Sequence, residues 1–193
     1  YRYELPYFRG ASGAAHALLA DWAISGITIL QSGTPFSIID SGAGTAYLGP
    51  GVTPTLTAQL ASGGSIGAGL SSGSLHDRIR NGYLNPANFT PALVADPVGC
   101  ALNSAACTTA FGDLGRNIYR GPFQQNWDFS LIKDFRLRER RNLRFTADFF
   151  NLWNHPNFAG PSVNDVENPA AFGRIQSTVG TPRLIQFQLR YEF

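Results

Sequence analysis

Methionine is missing from this chain, cysteine occurs twice, histidine three times, and charge is scarce. Each shortage removes a class of protein. Asp, Glu, Lys and Arg make up 15% of the 193 residues, against about 25% in an ordinary soluble domain. The formal net charge of +2 is too small to hold a phosphate backbone, so no nucleic-acid partner is expected. The Arg-rich run from Arg136 to Arg144 is mixed with Glu139 and reads as a solvated turn. No apolar run reaches the ~18 residues that a membrane helix needs. There is no initiator Met and no signal peptide, and the first residues already alternate as a strand. The chain is therefore expected to be the C-terminal portion of a longer protein, with any targeting segment upstream.

Catalytic and metal chemistry finds little to work with. His16, His76 and His155 lie far apart, without metal-ligand spacing. His76-Asp77 reads as a polar loop pair. No G-x-S-x-G run and no phosphate loop is present. Asp128 and Asp148 fall on neighbouring strands but read as carboxylates near Arg144 in a wet interior. No enzyme activity, cofactor or metal is expected. Cys100 and Cys107, in a Gly/Ala/Thr-rich loop without a nearby His, form a candidate disulfide, with two free thiols as the alternative.

What the chain does have is aromatic residues, 14 Phe, 7 Tyr and 3 Trp, and they are set out at period two. From Arg183 to the end, Ile185, Phe187, Leu189, Tyr191 and Phe193 alternate with Gln186, Gln188, Arg190 and Glu192. Leu184 alone breaks the rule. Such a strand has one apolar and one wet face. The same pattern sets Trp127, Phe129, Leu131 and Phe135 against Asn126, Asp128, Ser130 and Asp134, with Lys133 on the apolar side near one end, placed to snorkel. It recurs in Leu143, Phe145, Ala147, Phe149 and Trp153, where Phe150 and Leu152 blur the far end.

The expected strands are about 1–8, 21–39, 122–136, 142–154 and 182–193. The second carries a kink at Gly33 and Pro35. Residues 14–20 suggest a helical turn, and 85–89 another with Phe89 as its anchor. The connections alternate in length: short turns at 9–20 and 137–142, long loops at 41–120 and 155–181. The stretch 41–117 holds 13 of the 21 glycines and six charged residues, so it shows no periodic run. Short turns at one end and long loops at the other mark an outer-membrane barrel. The expected fold is all-β: a transmembrane β-barrel fragment of about five antiparallel strands in sequential, up-and-down order. Trp127, Phe129, Leu131, Phe135, Phe145, Phe149, Trp153, Ile185, Phe187, Leu189, Tyr191 and Phe193 are its lipid-facing residues. Because apolar residues are odd-numbered on both strands of the 122–154 hairpin, directly opposed residues must sum to an even number. That calls for a loop with an odd number of residues, three in the simplest case, centred on Glu139 or Arg140. Centring on Arg140 is preferred, since it sets Trp127 opposite Trp153. The alternative to the barrel is a secreted, soluble β-sandwich that binds a ligand or carbohydrate, in which a second sheet covers the apolar face.

Several runs together resemble the C-terminal end of TonB-dependent outer-membrane receptors, in particular the Oar-like group with a carboxypeptidase-regulatory-like N-terminal domain. They are Tyr3-Glu4-Leu5-Pro6, Ser25-Gly26-Ile27-Thr28, Gln31-Ser32-Gly33-Thr34-Pro35-Phe36 and Gly115-Arg116-Asn117. The strongest are Asn126-Trp127-Asp128-Phe129-Ser130, the run Phe149-Phe150-Asn151-Leu152-Trp153-Asn154-His155-Pro156-Asn157-Phe158, and the terminal Phe193. The resemblance implies a barrel of about 22 strands around a plug and energy-coupled uptake of a bulky ligand across the cell outer membrane. It also implies three partners: outer-membrane lipid, the barrel-assembly machinery acting on the last strand, and TonB reached through N-terminal parts outside this sequence.

Overall fold

The structure, a computed structural model, describes residues 1–8, 10–43, 56–92, 111–138 and 141–193. Cys100 and Cys107 lie outside them. The chain forms two compact units. One comprises Tyr1–Gln31, Gln124–Asn157 and Val179–Phe193; the other comprises Ser32–Phe123 and Phe158–Thr178.

The first unit is the strand wall. Its five strands are β1 (Arg2–Glu4), β2 (Trp22–Gln31), β3 (Gln124–Arg138), β4 (Arg141–Phe150) and β5 (Leu184–Glu192). They form one antiparallel sheet in the order β1-β2-β3-β4-β5, each strand beside its sequence neighbour. This is the all-β, up-and-down order that the alternation predicts. The strands differ in extent from the sequence reading. The first shrinks to three residues. The second stops at Gln31 and does not continue through a kink to residue 39. A Cβ on Gly33 would lie 2.0 Å from the Gly121 carbonyl oxygen, so only glycine permits this close passage of two backbones. Pro35–Phe36 then pairs with Tyr119–Arg120 in a separate two-stranded ribbon. The fourth strand ends at Phe150 because Asn151 takes φ +50° and Asn154 φ +51°, a left-handed conformation that Asn tolerates and strands do not.

The β3–β4 register obeys the even sum: Leu143 faces Phe135, Ala147 faces Leu131 and Phe149 faces Phe129. The centre is residue 139, so the preferred pairing of Trp127 with Trp153 is corrected. Trp153 lies beyond β4 and is 68% exposed. The means is also different from a three-residue loop. Arg138 pairs with Arg141, an odd sum, and the register shifts before Asn142 pairs with Arg136. One extra residue on β3, Leu137, forms a bulge that restores parity. Without it, Phe135 would sit opposite Arg144 and every aromatic on one strand would change face.

The first β–β connection contains α1 (Gly13–Leu19). At seven residues it is too short to persist alone, and wall side chains satisfy its last carbonyls. Trp22 Nε1 donates to Leu18 O at 2.9 Å, and Lys133 Nζ donates to the Ala20 oxygen.

In the second unit, the described residues of the two long loops carry local structure. Its short pieces are ribbons of two residues, 3₁₀ turns, and α2 (Leu75–Asn81), which begins with a reciprocal capping box between Ser74 and Asp77. They enclose a core of Ile38, Ala58, Tyr83, Leu84, Phe89, Leu114, Tyr119 and Phe172. Phe89, the expected anchor, is buried, with its ring edge-on to Tyr119 at 5.7 Å. The two long loops are stitched together. Ile39 N–H donates to Asn164 O and Val166 N–H to Ile39 O, both at 2.9 Å, and Tyr83 N–H donates to Gly173 O at 2.7 Å.

Candidate functional site: the two faces of the wall

Because opposed residues share a face, the register assigns every strand residue to one side. One face collects Tyr3, Trp22, Ile24, Trp127, Phe129, Leu131, Phe135, Leu143, Phe145, Ala147, Phe149, Ile185, Phe187, Leu189 and Tyr191. Eleven of the twelve residues expected to meet lipid lie on or continue this face; Trp153 is in the turn after β4. On β5 the face is bare: Phe187 is 68% and Leu189 66% exposed, and Ile185, Tyr191 and Phe193 are exposed too. On β3 and β4 the same face is half-buried by its own neighbours. Phe145 and Phe187 rings stack at 6.1 Å, and Phe129 and Phe149 lie 6.3 Å apart.

Arg141 falls on this face at its exposed turn end, and Lys133 is the charge among its aromatics. It does not extend to the surface: it is 1% exposed. Its ammonium sits 4.9 Å from the Phe135 ring centroid and 5.8 Å from that of Trp22, against the carbonyl end of α1. Ring quadrupoles and the negative end of a helix both favour a cation. The short helix therefore hides a charge that an apolar surroundings would penalise.

The opposite face is polar. Arg144 forms a two-point pair with Asp134, at 2.8 and 3.2 Å, and Asn142 donates to the same carboxylate at 3.1 Å. Arg136 reaches Asp21 at 3.5 Å. Asp148 and Asp128, the carboxylates considered for acid–base work, are committed elsewhere. Asp148 accepts from Ser130 at 2.5 Å, and Asp128 accepts from Asn126 Nδ2 and the Asn151 N–H. Both share the polar face with Arg144, as expected, but Arg144 itself engages Asp134. Charge thus gathers toward the β3–β4 turn, and amides toward the long-loop end. The sequence singled out Asp128 and Asp148 but missed Asp134, although its place opposite Arg144 follows from the correct register.

In the loop unit, Asp77 lies below the ordinary carboxylate range because Ser74 donates to it through hydroxyl and backbone. His76 beside it has no part in the cap. Glu167 is pushed up, by partial burial first and then by the neighbouring Asp40 and Asp165. Asp40 itself is buried and accepts from the N–H groups of Gly42 at 2.8 Å and Ala92 at 2.7 Å.

Among the described residues no helix is long and apolar enough to cross a membrane, which says nothing of strands. A sheet with one aromatic face and one ion-paired, polar face has the pattern of an outer-membrane barrel wall. No curated protein and no solved structure matches the chain. The family model described as outer membrane beta barrel domain matches residues 1–186. The chain therefore belongs to the outer membrane beta barrel domain family, and its place is the outer membrane.

Proposed function

We propose that this wall is the C-terminal part of a TonB-dependent receptor of the Oar-like group, whose full-length form takes up a bulky ligand using energy coupled from the inner membrane. The observation that supports this reading is how the two strongest motif runs interlock. Asp128 of the first accepts from the Asn151 N–H of the second at 3.0 Å. Asn151 in turn closes its own turn, taking the His155 N–H at 2.9 Å and donating to the His155 and Thr181 carbonyls. Asn157 brackets the Gln125 backbone with two bonds of 2.8 Å. Residues that carry the resemblance are thus those that fix the long-loop rim of the wall, where a receptor meets its ligand.

In this reading the β3–β4 hairpin end of the wall faces the periplasm and its long-loop end faces outward. Lipid covers the aromatic face, the barrel-assembly machinery engages β5, and TonB acts through upstream parts of the protein. The role is transport without covalent chemistry. Two measurements on the full-length protein test it. In a planar bilayer a plugged receptor stays closed, whereas an open, porin-like conductance would refute the receptor reading. In cells, site-specific crosslinking should trap the protein with TonB; a clean negative beside a positive control receptor would remove energy coupling.

A further inference from the structure

Ile27, Ile29, Ile132, Phe150 and Leu184 break the alternation on the polar face, and three of them line one cavity. Phe150 is paired directly with Leu184 across β4 and β5, and Ile29 lies on β2 opposite Asn126. All three are exposed, at 38%, 57% and 46%. Together they form the apolar floor of a cavity of about 550 Å³ at the long-loop end of the wall. That volume lies within the ~300–1,000 Å³ of small-molecule sites.

Half of its fourteen lining residues are Asn or Gln, and none is Lys, Arg or His. The single carboxylate, Asp128, already accepts two hydrogen bonds. Part of the rim is pinned, since Asn151 and Asn157 are spent on backbone groups. Part is open. Gln31 Nε2 donates to Gln124 Oε1 at 2.7 Å, and among the described residues the Gln186 side chain has no hydrogen-bond partner.

The geometry points to a binding site for a neutral oligosaccharide. An amide both donates and accepts, as does a sugar hydroxyl, so a rim of amides matches a ring of hydroxyls. The C–H faces of a sugar ring suit Phe150 and Leu184. An anionic ligand would find no cation among the lining residues, and the one carboxylate, Asp128, already takes two hydrogen bonds on its Oδ1. The ion pair of Arg144 with Asp134 lies at the other end of this face. The inference names the ligand class for the transport reading above and rests on it for the side from which the ligand enters. Binding itself requires no energy coupling. Loss of TonB dependence with retained saccharide binding therefore overturns transport and leaves the site standing.

The test uses the full-length protein in lipid nanodiscs, titrated calorimetrically with neutral α- and β-linked gluco-, xylo- and chito-oligosaccharides and with an anionic ferric chelate. At least one neutral oligosaccharide should bind. Phe150→Ala and Gln186→Ala should each weaken it tenfold or more, and Ile185→Ala, on the other face of the same strand, should leave it unchanged. Binding of the chelate alone, binding of no glycan, or glycan binding untouched by both variants overturns the assignment. A Phe150→Cys variant separates ligand from protein cover. Saccharide should slow its labelling by a bulky, polar maleimide; a cysteine equally unreactive with and without sugar places another part of the protein on the patch.

Discussion

Neighbouring residues on β5 provide a sharp test of the two faces. Leu189 is the middle of five apolar positions, Ile185 to Phe193, on the last strand. Eight steps of ~3.4 Å span ~27 Å along the strand. At a tilt of ~40° this covers ~21 Å of the membrane normal, close to the ~25 Å apolar band of outer-membrane barrels. Leu189 therefore lies near the midplane. Within the sheet it faces only Phe145, and it is 66% exposed. Arginine at such a position costs about 2–4 kcal/mol, or about 30- to 700-fold in the folding equilibrium. Gln188, one residue earlier, points to the polar face opposite Thr146, and Gln188→Arg there should change stability by less than about 0.5 kcal/mol. The assay is urea unfolding of the full-length protein from phospholipid vesicles, followed by tryptophan fluorescence. A Gln188→Arg cost equal to or above that of Leu189→Arg would show that lipid lies on the other face. So would a Leu189→Arg cost under about 1 kcal/mol, a value expected only near an interface.

Lys133→Met should lower the urea midpoint, because the buried Ala20 carbonyl loses its donor, a loss of about 1–3 kcal/mol; an unchanged or raised midpoint would mean that the charge is a burden and not a clasp. Deleting Phe193, which ends the exposed face of β5 and stacks on Tyr191 at 6.0 Å, should reduce the amount of full-length protein in the outer membrane, and unchanged levels would remove the proposed link to the assembly machinery. Glu167→Gln should make the loop unit more resistant to protease as pH rises. The Glu167 carboxyl is held above its ordinary 4.5, so the fold binds more protons than the unfolded chain and loses stability as pH climbs from that value through the raised one. Wild type and variant should converge near pH 4 and diverge toward pH 7; a gap that stays constant across this range would sink the argument.

The wall was legible because period two is a local signal carried by long strands. Fifteen residues of β3 and nine of β5 state their faces without help from the rest of the chain. Parity of the hairpin followed from the same pattern. Its centre did not, because a one-residue bulge at Leu137 leaves no mark on the alternation, and both candidate centres keep aromatics together. The loop unit was illegible for the opposite reason. Of its core residues Ile38, Leu84, Phe89, Leu114, Tyr119 and Phe172, only Phe89 and Tyr119 belong to strands, each two residues long, and the others lie between elements. Periodicity needs at least four residues to show, and contacts between positions as far apart as Phe89 and Phe172 leave no local trace. Only self-contained signals survived there. Asn85-Pro86 was read correctly as a turn, and the Ser74-x-x-Asp77 cap was there to be found.

The residues that looked like noise in the alternation carry a further lesson. Taken alone, Leu184 and Phe150 are each a single lapse in a pattern that tolerates lapses. Register changes their meaning, because the two lapses occupy opposed positions on adjacent strands. An apolar side chain on a hydrated wall forfeits the benefit of burial, about 25 cal/mol for each Å² left in water. Two such residues facing each other at the rim leave a patch that nothing in the sheet relieves. An error in patterning would scatter such residues over the face. The turn-end half of this face keeps its ion pairs with Ile132 among them, while Ile27, Ile29, Phe150 and Leu184 lie toward the rim that Asn151 and Asn157 have already stiffened. A patch with that placement is built to be covered from outside the sheet, and its cover must offer apolar surface at the centre and hydrogen-bonding groups at the edge.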